Sequence, residues 1–280
     1  MLNQEMVQKI EEFVYAQPRS ILEVAEHIKK NWRTADRYIE EISTQFGAIK
    51  TKTFRGGTRG ALKIVYWNLN EKISKGIFQE ELEKKIFNSS NKESFSAFDI
   101  FEQISDKNKK VTLEKQNKEE KTNLVELNDL LKSTKKQLLL FSGNLSWINL
   151  KNKEIDFVKS LEHLVEKGVK IKVICDVNLT GKENIERLLR INFKNNCEAI
   201  EIKHKKQPLR AIIFDDKQFR IKEVVEPTGR INELSKKTFI FYTFNDKEWV
   251  EWVTKIFYKM FNQGVSAKKR ISELDKLYIK

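Results

Sequence analysis

Residues 20–67 read SILEVAEHIKKNWRTADRYIEEISTQFGAIKTKTFRGGTRGALKIVYW, and the periods in this stretch decide how the chain is read. Ser20 followed by Glu23 is a capping box, which satisfies the open amide donors at a helix start. Ile21, Val24, Ala25 and Ile28 then recur at helical spacing and give that helix one apolar stripe. Lys29 to Trp32 break the pattern. A second helix carries Ala35, Ile39, Ile42 and Phe46 inward and leaves Arg33, Thr34, Asp36, Arg37 and Glu40 outward. Two short helices joined by a tight turn predict a helix-turn-helix, a unit whose second helix can enter a DNA major groove.

A hairpin is expected next. Ile49, Thr51 and Thr53 alternate with Lys50, Lys52 and Phe54, and Leu62, Ile64 and Tyr66 alternate with Lys63, Val65 and Trp67. Between the two runs, Arg55, Gly56, Gly57, Thr58, Arg59 and Gly60 form a basic tip whose glycines allow close backbone approach to a partner. The whole predicts a winged helix-turn-helix, and it resembles the DNA-binding domain of archaeal transcriptional regulators. The DNA-reading surface expected on this basis comprises Arg33, Thr34 and Arg37 on the second helix and Lys50 and Lys52 on the first hairpin strand. Arg55, Gly56, Gly57, Thr58 and Arg59 complete it at the tip. Asp36 lies between the helix arginines, where it can orient one of them. The plainer alternative is a solvated charged face on a protein-binding module. Arginine placement favours DNA, because the guanidinium suits bidentate contacts to guanine edges and phosphates.

Length and composition set the outer limits. A chain of 280 residues accommodates two domains, and 40% hydrophobic with 33% charged residues fits a globular protein with solvated segments. The formal charge of +13 favours an anionic partner, although Lys and Asn are abundant throughout. Cys175 and Cys197 have apolar, strand-like neighbours and predict a reduced, buried pair. His27, His163 and His204 are far apart and cluster with no cysteine, so neither a metal nor a cofactor is expected. No signal peptide is read, and no apolar run approaches the ~20 residues of a membrane-spanning helix. The expected setting is cytoplasmic, without membrane contact.

Along the chain, a helix over 4–17 ends at Pro18 and supports the first unit, assigned to residues 1–72. Residues 73–122 read as a helical and charged linker. Within them, Phe95, Phe98, Ile100, Phe101 and Ile104 form an apolar patch that either docks on one of the domains or pairs with a second chain. Residues 105–122 are nearly all polar and predict a linker or a solvated helix. From residue 123 helices and strands alternate, the pattern of a layered α/β domain over 123–263. A charged helix over 264–280 closes the chain. The expected fold is therefore an α+β winged helix-turn-helix domain followed by an α/β domain.

The order of elements in the second domain, with the run Pro208-Leu209-Arg210-Ala211-Ile212-Ile213-Phe214-Asp215-Asp216-Lys217, resembles the phospholipase D superfamily. That family's motif is His, any residue, Lys, four residues, Asp; its His attacks phosphorus while Lys neutralises charge. Here Asp215 matches the Asp, Arg210 stands at the Lys and Pro208 at the His, and the spacing from His204 gives Lys206 and then Ala211. No second copy of the motif occurs, so no catalytic residue is assigned. The combination of a winged helix-turn-helix, a linker and a degenerate phospholipase-D-like domain resembles the archaeal TrmB family of regulators. This resemblance implies binding to double-stranded DNA, a homodimer, and an effector or assembly role for the second domain, with a sugar or phosphorylated metabolite as the small-molecule effector. Candidate effector contacts are Ser142, Asn144 and Trp147, in a loop at a strand's carboxyl end, together with Arg210 and Asp215. A plain connecting loop and an ion pair of Arg210 with Asp215 or Asp216 are the structural alternatives. The competing functions are a phosphodiesterase or nuclease of the phospholipase D superfamily with a targeting winged helix, and a protein-interaction adaptor.

Overall fold

The computed structural model describes residues 2–45, 47–55, 61–68, 75–115, 122–150, 155–227 and 236–278. Its amino-terminal unit contains α1 (Gln4–Ala16), β1 (Arg19–Ser20), α2 (Ile21–His27), α3 (Trp32–Gln45), β2 (Ile49–Arg55) and β3 (Ala61–Trp67). The capping box forms in full: Glu23 N donates to Ser20 Oγ at 3.2 Å and Ser20 N donates to the Glu23 carboxylate at 2.7 Å. Lys29 takes a φ of +55° in the turn after α2, and Asn31 Oδ1 accepts from Thr34 N at 2.9 Å to start α3. Ile10, Val24, Ala35, Ile39, Ile42 and Val65 meet in one core, which Tyr38 joins from α3. Phe46, expected in that core, lies outside the described residues.

The small sheet runs β1-β3-β2, all antiparallel, and both of its faces are used. Successive strand side chains point to opposite faces. Ile49, Val65 and Trp67 therefore meet the helices, while Phe54, Leu62, Ile64 and Tyr66 meet α5 (Phe98–Gln103). The aromatic patch thus docks on both units at once. Phe98 stands 5.0 Å from Tyr66 and 5.9 Å from Phe54, and Phe101 stands 5.6 Å from Phe54 and 5.7 Å from Tyr242 (ring centroids).

The remaining elements are α4 (Lys75–Asn88), β4 (Lys109–Lys115), α6 (Thr122–Ser133), β5 (Gln137–Phe141), α7 (Phe157–Glu166), β6 (Lys170–Cys175), α8 (Leu179–Lys194), β7 (Ile200–His204), β8 (Ala211–Phe214), β9 (Gln218–Val225), β10 (Thr238–Phe244), α9 (Lys247–Gln263), β11 (Val265–Ser266) and α10 (Ala267–Tyr278). They build a mixed α/β unit on an eight-stranded sheet ordered β11-β7-β6-β5-β8-β9-β10-β4. Strands β5, β6 and β7 are parallel; β8, β9, β10 and β4 continue antiparallel. Leu138 and Leu140 of β5 join the core formed with α6, α7 and α8, whereas Leu139 and Phe141 join the core formed with α9. Trp249 and Trp252 of α9 are buried there, as their spacing predicts.

Two expectations require correction. Residues 109–115, read as linker or solvated helix, form the edge strand β4 on β10, in register from Thr238↔Lys115 to Phe244↔Lys109. A polar sequence suffices at an edge, where one neighbour satisfies the backbone and only Val111 and Leu113 need apolar contact. Residues 116–121 of the same stretch lie outside the described residues. The cysteines are both free, but only Cys175 is buried; Cys197 is half-exposed beyond the end of α8. Among the described residues no helix is long and apolar enough to cross a membrane.

Candidate functional site

Two surfaces concentrate chemistry. The first is the outer side of α3. Burial of Ala35, Tyr38, Ile39 and Ile42 fixes the helix rotation and turns Arg33 and Arg37 to solvent, with Thr34 half-buried beside them. Neither arginine is ion-paired among the described residues; each guanidinium lies near the ring that follows or precedes it, Arg33 at 5.7 Å from Trp32 and Arg37 at 5.4 Å from Tyr38. Asp36, expected to orient an arginine, instead accepts from Lys63 Nζ of β3 at 2.6 Å, and Glu40 accepts from the same amine at 3.3 Å.

Arg33, Thr34 and Arg37 are therefore brought together. Lys50 and Lys52 are exposed, but on the other side of the hairpin from α3: their cross-strand partners are Tyr66 and Ile64, which face α5. The period-two pattern that placed these lysines on a strand also put them on the opposite side from the arginines. Arg55 ends β2, paired with Ala61; its side chain and all of Gly56, Gly57, Thr58 and Arg59 lie outside the described residues.

The second surface is a cavity of about 1230 Å³ between the antiparallel half of the large sheet and α6. Ser142, Asn144, Trp147 and Arg210, four of the five residues expected to touch an effector, line it. Lys92, Lys222, Phe239 and Phe241 also line it, and sequence reasoning missed them. Lys222 and Arg220 sit two apart on β9, so the sequence carried one signal: paired cations on one face of a strand. Nothing in the sequence points to Lys92.

The charge of the cavity is mainly cationic, with Glu114 and Asp176 as the acids in its lining. Lys92 Nζ is enclosed and donates to the carbonyls of Gln207 at 2.6 Å, Leu209 at 2.8 Å and Ser142 at 3.4 Å. Burial and then the nearby Arg210 charge bring its amine down to about 7. Burial also lowers Arg210, with Glu93 and Glu223 opposing that shift. Lys222 is lowered by burial first and by Arg210 second, and its ammonium rests 4.0 Å from the centre of the Phe239 ring. Arg220 differs: its guanidinium pairs with Glu126 at 2.7 Å and covers Phe241 at 4.7 Å.

Asp215, the fifth expected contact, belongs elsewhere. It occupies a turn at φ +52° beyond the far end of β8 from Arg210. Its carboxylate accepts from the backbone amides of Lys135, Lys136 and Gln137 at 2.8 to 3.2 Å. The Arg210–Asp215 ion pair does not form, because the four residues of β8 separate the two side chains. Pro208 is buried. His204, at the end of β7, accepts from Val177 N at 3.0 Å, and burial lowers its imidazole below the usual value. Among the described residues no group of three His, Cys, Asp or Glu side chains is arranged to hold a metal ion.

No protein-family model and no curated protein sequence matches the chain. Among solved structures it is similar to the phospholipase D family member Nuc from Salmonella typhimurium, at 15% identity over 56% of this chain and 97% of that one, with a TM-score of 0.40. NucT from Helicobacter pylori is similar at 13% identity over 56% of this chain and 99% of that one, TM-score 0.40. TrmBL2, described as an archaeal chromatin protein with a novel mode of DNA binding, is similar at 14% identity over 95% of this chain and 94% of that one, TM-score 0.36.

Proposed function

We propose that this chain is a DNA-binding transcriptional regulator in which residues 2–68 act as a winged helix-turn-helix and the mixed α/β unit is a non-catalytic, phospholipase-D-like partner domain. One observation carries the reading. Lys63 takes Asp36 and Glu40 of α3, and among the described residues no carboxylate, Glu41 one turn after Arg37 included, pairs with Arg33 or Arg37, so both present their charge to solvent. A solvated protein surface gains nothing from such an arrangement, whereas a phosphate-lined groove supplies the missing counter-charge. Phosphodiesterase chemistry is no part of the proposal; Pro208 at the nucleophile's place and the hydrogen bond that His204 Nδ1 accepts from the Val177 amide support leaving it out. A two-fold dimer on a palindromic operator is part of the proposal, since closed symmetry is the usual way for a small reader to span two half-sites.

The test begins by selecting a preferred duplex from random sequence with the full chain, then titrating salt on selected and scrambled duplexes. Arg33→Gln and Arg37→Gln are each expected to lose about 1–3 kcal/mol on the selected duplex and to relax its base preference. Variants that bind both duplexes like the parent would remove α3 as the reader.

A further inference from the structure

One face of the antiparallel half-sheet is ordinary core: Phe219, Ile221, Ile240 and Tyr242 pack there against α9 and α5. The opposite face has the same strands and the same register but a different composition. Where β9 and β10 pair, Lys222 stands opposite Phe241, and Arg210 adjoins through the hydrogen bond from Lys222 N to Arg210 O at 2.8 Å. Helix α6 covers only part of this face, which leaves the cavity with an aromatic wall and a cationic floor.

Several half-buried cations elsewhere in the chain are matched by a carboxylate. Arg220 has Glu126, Lys182 has Asp275 and Lys63 has Asp36. Arg210 and Lys222 are not: among the described residues neither is ion-paired. Burial and then the Arg210 charge lower the Lys222 amine against the smaller effect of Glu114, and Glu93 and Glu223 only partly offset the burial of Arg210. Two desolvated like charges held together destabilise the empty site, and a bound anion reverses the sign of that contribution. Hydroxyls of a neutral sugar would leave the repulsion in place. A dianionic phosphate accepts from both cations and suits the planar guanidinium.

We propose that this cavity binds a phosphorylated small molecule, its phosphate bridging Arg210 and Lys222 and its organic body lying against the wall formed by Phe239 and Phe241. The site is independent of α3 and stands whether or not that helix reads DNA.

Isothermal titration calorimetry on the full chain, with pyrophosphate, AMP, adenosine, glucose 6-phosphate, glucose and a short single-stranded DNA as probes, tests it. The expected result is that at least one small phosphate binds while its unphosphorylated counterpart does not. Lys222→Gln and Arg210→Gln should each weaken that binding about tenfold or more, the scale of one charge-assisted hydrogen bond. Lys222→Arg should retain it, and Lys255→Gln, on exposed α9 surface, should leave it unchanged. The proposal is overturned if no small phosphate binds, if adenosine or glucose binds as well as its phosphate, or if both Gln variants bind like the parent. Binding of the single-stranded DNA alone through these two residues would also overturn it, by making the site a nucleic-acid contact.

Discussion

Lys63 Nζ lies 2.6 Å from Asp36 Oδ1, so a hairpin strand and the helix it flanks are joined by one half-buried ion pair. Burial opposes the lysine charge, but the hydrogen bonds to Asp36 and Glu40 prevail and hold the amine above its usual value. The pair fixes the hairpin against α3 and keeps Asp36 away from the arginines on either side of it.

Breaking that pair tests its second role. Lys63→Met is expected to free Asp36 to neutralise Arg33 or Arg37 and so to weaken DNA binding. Adding Asp36→Asn should restore it. The stability coupling in the same double-mutant cycle should be about 0.5–1 kcal/mol, the range for a partly exposed pair. If the double variant binds DNA no better than Lys63→Met, the lysine contacts DNA directly.

Phe98, the first residue of α5, is buried against the hairpin, with Tyr66, Phe54 and Phe101 around it. Phe98→Ala should cost about 3–5 kcal/mol, because a large ring is lost from a site whose strands cannot close over the gap. The loss falls on the joint between the units, so urea unfolding followed by tryptophan fluorescence should separate into two transitions. A single transition with an unchanged midpoint would show that the joint contributes little.

Glu223 accepts from Ala97 N and from Ser96 Oγ, just ahead of α5, and desolvation pushes its carboxyl up to about 7. Its folded value exceeds the free value of 4.5. In that interval the native state holds a proton that the unfolded chain has released, so stability contributed by this group falls as pH rises from 4.5 to about 7 and is level above it. Glu223→Gln keeps the accepting oxygen and removes the titration. The melting temperature of the variant relative to the parent should therefore climb across this interval; a constant difference would contradict the assignment.

Asp215 was expected at an effector site and instead holds the backbone at the start of β5. Asp215→Ala leaves the amides of Lys135, Lys136 and Gln137 without that acceptor and should cost about 2–4 kcal/mol, a few charge-assisted hydrogen bonds of which water recovers part. Calorimetric binding of any cavity ligand to the folded fraction should be unaffected. Loss of ligand affinity at unchanged stability would return Asp215 to the cavity.

The local elements were legible because their causes are local. The Ser20–Glu23 capping box, the 3.6-residue stripes of α2 and α3, and the period-two runs of β2 and β3 each depend on residues a few positions apart. What the sequence could not decide is which faces meet. Lys109–Lys115 is polar enough for a linker and becomes a strand because β10 offers an unpaired edge. Phe95 to Ile104 had apolar surface to bury, and only the packed structure placed it between the hairpin and the large sheet. Arg210 and Asp215 look like a pair on paper; an extended strand of four residues carries them to opposite ends. Arg210 meets Lys222 instead, across an antiparallel register that no spacing in one chain announces. Periodicity is set by bonds along the backbone, whereas a cavity is set by the sheet order that brings distant strands side by side.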